Sequence, residues 1–344
     1  MMPGWGTPTQ PTRGADGRGT TVAPRRMMTP MRPTLAIALA ISIAAATLAS
    51  AGVDVAFLYR LSNFSGVLPY SDVQIHADRY HDEVYVGEGD VIRVFNAAGM
   101  EIFEFTHDAS KFGSILDIAT NENGEIFVLS YCSGSPPRES GPLITLYNYR
   151  GEPKRSFGFD GLPEAMSSFA PNRMLYRNKK LVFASTSTLM VLVTDAAGTY
   201  ESQIDLVGGL EIAERARDGA ELGGFDMDAS GAILYTIPTA FKAFRRKPDG
   251  TAEAWGKSGS SPGNFGIAGS ITEDEAGDIV VADRARGVVL VFTPNLLFLR
   301  EFGSRGPRDE QLVGPGRLAM GSGDKLYVTQ LALRGIAVFS LTAH

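Results

Sequence analysis

GDIVVADRARGVVLVF, residues 277–292, decides the fold. A Gly-Asp turn leads into the apolar run Ile279–Val281. A polar step over 282–287 follows, then a second apolar run, Val288–Phe292. Two short β-rich runs joined by a polar, Gly-containing link read as a hairpin. The same pair recurs along the chain. Val84–Val86, Ile126–Val128, Leu181–Phe183, Ile233–Tyr235 and Leu326–Val328 match the first run. Val91–Phe95, Leu143–Tyr147, Leu189–Val193, Ala240–Phe244 and Gly335–Phe339 match the second. An apolar stretch precedes each pair, for example Ile115–Ala119 or Phe225–Met227, so the opening stretch is one copy of six.

Five copies carry a fourth run after a further turn: Glu101–Phe105, Pro153–Phe157, Tyr200–Ile204, Ala252–Trp255 and Phe298–Phe302. Markers at 72, 117, 173, 226, 270 and 317 are spaced 45, 56, 53, 44 and 47 residues apart. A four-stranded unit at that period reads as a propeller blade. The sequence therefore predicts an all-β fold, a six-bladed β-propeller of four-stranded antiparallel blades, over residues 52–344. The sixth copy lacks its fourth run, and Ala56–Leu61 supplies a matching one at the other end of the chain. We expect that N-terminal strand to complete the last blade and close the ring, leaving no open sheet edge around it.

Residues 1–51 read as an N-terminal extension and signal peptide. Arg25, Arg26 and Arg32 precede a 14-residue apolar run, Leu35–Leu48, which ends in the small residues Ala49-Ser50-Ala51. Basic, apolar and small segments in that order make a secretory signal, and the run is short for a membrane span of ~20 residues. The expected location is the periplasm or the cell exterior, with no stable membrane span after cleavage. Those 51 residues carry five Arg and one Asp, so removing their net +4 takes the chain from −6 to −10. An acidic chain is a poor binder of phosphate backbones, so no nucleic-acid partner is expected. The single cysteine, Cys132, allows no internal disulfide, and no C-x-x-C-H haem site occurs.

Ser261-Pro-Gly-Asn-Phe265, Gly277–Asp283, Val288–Phe292 and Phe298-Leu-Arg-Glu-Phe-Gly303 resemble the NHL repeat, and the resemblance extends over residues 56–341. It implies a six-bladed propeller of the exported bacterial type. Peptide-amidating lyases share that design and hold a catalytic metal with histidines from several blades. Here the histidines are His76, His81, His107 and His344, three of them in or beside the first copy. That distribution disfavours the lyase reading. A propeller hosts many activities, so function must come from the site.

Two loop sets share one propeller face. The starts of the inner runs place Asp72, Asp117, Arg173, Asp226, Ser270 and Arg317 around the central channel. Two expectations compete there. One is a polar pocket for a charged ligand, including Ca²⁺ held by carboxylate oxygens. The other is mutual neutralisation, with Arg173 between Asp117 and Asp226 and Arg317 beside Asp72; the two arginines would also oppose a divalent cation. The links between the second and third runs present Glu88, Asp90, Tyr131, Arg138, Asp283, Arg284, Arg286 and Arg334 as candidate partner contacts. Tyr131–Pro142 is the longest such link, and long loops on rigid scaffolds often carry recognition. The 210–217 segment has helical composition. No Ser-His-Asp set, phosphate loop or paired-cysteine metal site is present, so no catalytic residue, cofactor or metal site is assigned. The expected function is an exported, non-enzymatic scaffold that holds a protein or peptide partner on one face, as part of an envelope assembly. The alternative is a Ca²⁺-dependent hydrolase or lyase using the channel carboxylates.

Overall fold

The computed structural model describes residues 52–71, 73–133, 140–210, 212 and 219–344. The expected signal segment, Asp72, Arg138 and most of the expected 210–217 helix lie outside the described residues.

The first strand, β1 (Val53–Arg60), precedes a short hairpin of β2 (Ser62–Asn63) and β3 (Gly66–Val67). Blade one is β4 (Gln74–Asp78), β5 (Glu83–Glu88), β6 (Val91–Phe95) and β7 (Glu101–Thr106). One helical turn, α1 (Ala109–Phe112), leads to blade two: β8 (Ser114–Thr120), β9 (Ile126–Cys132), β10 (Gly141–Tyr147) and β11 (Pro153–Phe157). Blade three is β12 (Arg173–Arg177), β13 (Lys180–Ser185), β14 (Met190–Asp195) and β15 (Tyr200–Asp205). Blade four is β16 (Gly224–Met227), β17 (Ile233–Ile237), β18 (Lys242–Arg246) and β19 (Ala252–Trp255). Blade five is β20 (Ala268–Glu273), β21 (Ile279–Asp283), β22 (Val288–Phe292) and β23 (Phe298–Gly303). Blade six contains β24 (Leu318–Met320), β25 (Lys325–Thr329) and β26 (Ile336–Ala343). Its sheet runs β1-β26-β25-β24, so the N-terminal strand is its fourth member and the ring closes as the sequence predicts. Gly52 and His344 exchange backbone hydrogen bonds of 3.1 and 2.9 Å at that seam.

A recurring turn helps to explain why successive copies fold alike. Between the third and fourth strands, a side-chain carbonyl caps the bend. Asn96 Oδ1 accepts from the N–H groups of Ala98 and Met100 at 3.0 and 3.1 Å. Asn148 Oδ1 does the same for Arg150 and Glu152 at 2.9 and 3.0 Å. This is the Asx-turn chemistry that Asn and Asp supply in hairpins. Gly99 and Gly151 complete these turns at φ +77° and +71°, where a side chain is strained. A Cβ at either would also collide with an aromatic ring of the neighbouring blade, Tyr59 over Gly99 and Phe105 over Gly151.

The apolar core is divided among the interfaces between blades. Leu61, Val73 and Val84 pack with Tyr327 and Val338 between blades six and one. Val280, Val289, Leu318, Leu326 and Phe339 fill the seam between blades five and six. Four further clusters occupy the remaining interfaces. A strand buried on both faces reads as continuous apolar sequence, which is why Val288–Phe292 shows no alternation.

Candidate binding site in the channel

Pairing register ranks the inner strands by depth. The third residue of each second-strand triplet pairs with Ile75, Ile118, Met174, Phe225, Ile271 and Leu318. The residue before each of these forms the upper level: Gln74, Asp117, Arg173, Gly224, Ser270 and Arg317. Four of the six expected ring residues share that level. Asp226 stands two residues deeper, level with His76 and Thr272. Gln74 holds the upper position in blade one, two residues on from Asp72.

A cavity of about 260 Å³ occupies this channel. Asp117, Arg173, Asp226, Ser270 and Arg317 all line it. A second cavity of about 300 Å³ continues toward the opposite face and shares His76, Arg79, Arg177 and Asp226 with the first.

Charged side chains pair within the channel. Arg317 reaches from blade six to Asp117 of blade two, Nη1 to Oδ1 at 2.9 Å. The other oxygen of Asp117 accepts from the Met174 N–H at 2.9 Å. Asp226 Oδ2 accepts from the Thr272 hydroxyl at 2.6 Å, and Oδ1 from the Met227 N–H at 2.8 Å. Its ion-pair partner is Arg177, at 3.5 Å. Ser270 Oγ accepts from the Leu318 N–H at 3.0 Å. Arg79 staples three blades at the far end, donating to the carbonyls of Met320 at 2.9 Å and Glu273 at 2.8 Å. Burial pushes His76 down to about 4. Its Nε2 accepts from the Thr120 N–H at 3.2 Å, so the neutral ring carries its proton on Nδ1 and adds no charge at neutral pH.

The loop candidates divide by what they already bind. Asp283 is buried and accepts from four N–H groups, those of Gly266, Ile267, Ala285 and Arg286. Arg286 donates to both carboxylate oxygens of Glu301 at 2.8 and 2.7 Å and to the Asn264 carbonyl. Arg334 holds the carbonyls of Pro307 and Arg308, both at 2.7 Å. These three side chains are engaged in tying their links to neighbouring segments. Glu88, Asp90, Tyr131 and Arg284 are exposed on the face that the upper level opens to. Glu88 lies 3.7 Å from Arg93.

Sequence reasoning missed Arg79, Arg177, His76 and Thr272. All four lie on or just past inner strands. Stepping two residues inward from the upper level finds His76 and Thr272. Arg177 ends β12, and Arg79 follows the last residue of β4.

No family model and no curated protein matches the chain, so the NHL resemblance gains no support there. Solved structures do match. A streptogramin B lyase is similar with a TM-score of 0.55 at 14% identity, over 84% of this chain and 98% of that one. A virginiamycin B lyase from Staphylococcus aureus gives 0.53 at 11% identity, over 84% and 99%. A Bacteroides thetaiotaomicron VPI-5482 protein of unknown function gives 0.57 at 12% identity, over 85% and 76%. Likeness at such identity carries architecture alone, and the architecture is a six-bladed β-propeller.

Proposed function

We propose that this chain is an exported, non-enzymatic scaffold that uses the face bearing Tyr131 and Arg284 to hold a protein or peptide partner, as part of an envelope assembly. The observation that carries the reading is the state of the channel carboxylates. Asp117 and Asp226 are each committed to an arginine and to a backbone N–H, and Asp226 also to Thr272. A divalent cation would have to displace guanidinium groups from both. Neither carboxylate is poised for acid–base work, since each oxygen already accepts a hydrogen bond. The opposite role, a Ca²⁺-dependent hydrolase or lyase, needs those oxygens free. Recognition needs exposed groups on a rigid frame, which Tyr131, Arg284, Glu88 and Asp90 supply. The signal-like segment over residues 25–51 supports the export half of the proposal.

Site-specific photo-crosslinking in cells tests it. A photoreactive residue at Tyr131 is expected to give a discrete adduct, and one at Tyr80 on the opposite face is not. A melting transition raised by Ca²⁺ in the parent but not in an Asp117→Asn/Asp226→Asn variant, with no adduct from either face, would replace the scaffold reading with the metal-dependent one.

A further inference from the structure

We propose that the upper channel mouth is a binding site for a compact oxyanion of two or more charges, a polycarboxylate or a phosphate. This goes beyond a partner held on the outer face. It rests on a local reversal of charge. Five arginines line the first cavity: Arg79, Arg173, Arg177, Arg284 and Arg317. The described carboxylates lining it are Asp117 and Asp226. The surplus is +3 among the described residues, inside a chain whose net charge is −6. Adding Asp72, which lies outside the described residues, would still leave the balance positive.

The two carboxylates are already neutralised, so they do not hold the site open for a cation. Arg284 stands differently from the other arginines. It sits in the link between β21 and β22 and lines the cavity, and its guanidinium has no hydrogen bond or ion pair among the described residues. Arg317 uses Nη1 on Asp117, and a guanidinium carries five N–H donors, so it retains donors for a second acceptor. Planar guanidinium forks match carboxylate and phosphate oxygens two at a time, and one ammonium or hydroxyl does not. Like charges gathered in a partly buried cavity repel, and a multivalent anion relieves that repulsion. A monovalent acid cannot offset the surplus.

Size limits the ligand. The cavity, at about 260 Å³, lies just below the range of small-molecule sites, which run from ~300 to ~1,000 Å³. Glycines narrow it on one side. A Cβ at Gly224 would stand 2.6 Å from the Gly269 carbonyl, so β16 and β20 approach too closely for a side chain there. A folded peptide segment does not fit; a citrate-sized or phosphate-sized ion does.

The test is a thermal melt and a calorimetric titration of the full chain with citrate, inorganic phosphate, acetate and CaCl₂. Ionic strength is held constant with NaCl, so that screening alone moves nothing. The expected result is a saturable, single-site response to citrate or phosphate and none to acetate, chloride or Ca²⁺. Whichever of the two oxyanions saturates at the lower concentration sets the class. Arg284→Gln is expected to lower that affinity ~10-fold without moving the ligand-free melting temperature, because the guanidinium it replaces makes no hydrogen bond or ion pair among the described residues. Arg308→Gln, on an exposed outer loop, is expected to leave the affinity unchanged. No saturable response to either oxyanion overturns the proposal. So does a response that Arg284→Gln leaves intact, or one that matched chloride reproduces.

Discussion

Asp274 shows how one side chain can serve a fold and weaken it. Its Oδ1 accepts from the N–H groups of Ala276 at 3.0 Å and Asp278 at 2.8 Å, which shapes the turn between β20 and β21. Burial, with Asp278 and Asp324 adding like charge, pushes its carboxyl up to about 6. The unfolded value is near 3.9. Folding therefore takes up a proton between about pH 4 and 6, and stability falls as pH rises through that window. Asn keeps the accepting oxygen and loses the charge. Asp274→Asn is expected to be more stable than the parent at pH 7 by about 1 kcal/mol, allowing for solvent screening, and equal to it below pH 4. Urea denaturation at pH 4 and 7 measures both. A second residue-scale case is Asp117, buried and held by Arg317. Arg317→Gln is expected to cost about 2–3 kcal/mol, because it strands a buried carboxylate. Asp117→Asn in that background should recover part of the loss. A double-mutant cycle that came out additive would show that the two groups do not interact.

At the scale of strands and turns, most of the fold was legible and register was not. Turn chemistry recurs between the third and fourth strands, so Asn96-Ala-Ala-Gly99 and Asn148-Tyr-Arg-Gly151 announce hairpins without any knowledge of their neighbours. Depth along the channel depends on pairing. Bulges between Ile115 and Asp117 and between Ala268 and Ile271 insert a residue into two inner strands. Strands buried on both faces offer no alternation to fix the count. Asp72 and Asp226 were therefore placed level with Asp117, whereas pairing ranks Gln74 and Gly224 there. The arginine-rich character of the channel was hidden as well: Arg79 and Arg177 stand at the far ends of the inner strands that Gln74 and Arg173 open, where no marker was placed. The turns themselves make a prediction. Gly151 combines a left-handed backbone with a neighbouring ring, Phe105, that leaves no room for a methyl group. Gly151→Ala is expected to cost about 2–3 kcal/mol, the backbone term of ~1 plus displacement of the ring. Gly250, also left-handed but with nothing within 4 Å of its Cβ position, should lose only the backbone term on the same change. Parallel denaturation curves for the two variants separate the contributions.

The whole ring depends on how its two ends meet. β1 pairs with β26 through seven residue partners, and its side chains reach three blades. Phe57 packs edge-on to Phe339 at 5.6 Å, and the Tyr59 hydroxyl donates to the Ala97 carbonyl of blade one at 2.6 Å. Arg300 of blade five donates to the Val53 carbonyl at 2.8 Å. Val53 and Leu61 are buried, and each such side chain contributes about 1.5–3 kcal/mol. Removing residues 52–61 forfeits that burial and leaves β26 as an open edge, with unpaired N–H and C=O groups. The Arg79 staple would remain, but it joins blades one, five and six only at the far end of the channel. The expected loss is on the order of 5 kcal/mol or more, comparable to the whole net stability of many domains. The deletion should therefore melt far below the parent and be cut rapidly by protease at 25 °C. Phe64→Ala, at a fully exposed ring just beyond the seam, should change neither. A deletion that melts with the parent would mean that contacts between blades, rather than the shared sheet, hold the circle closed.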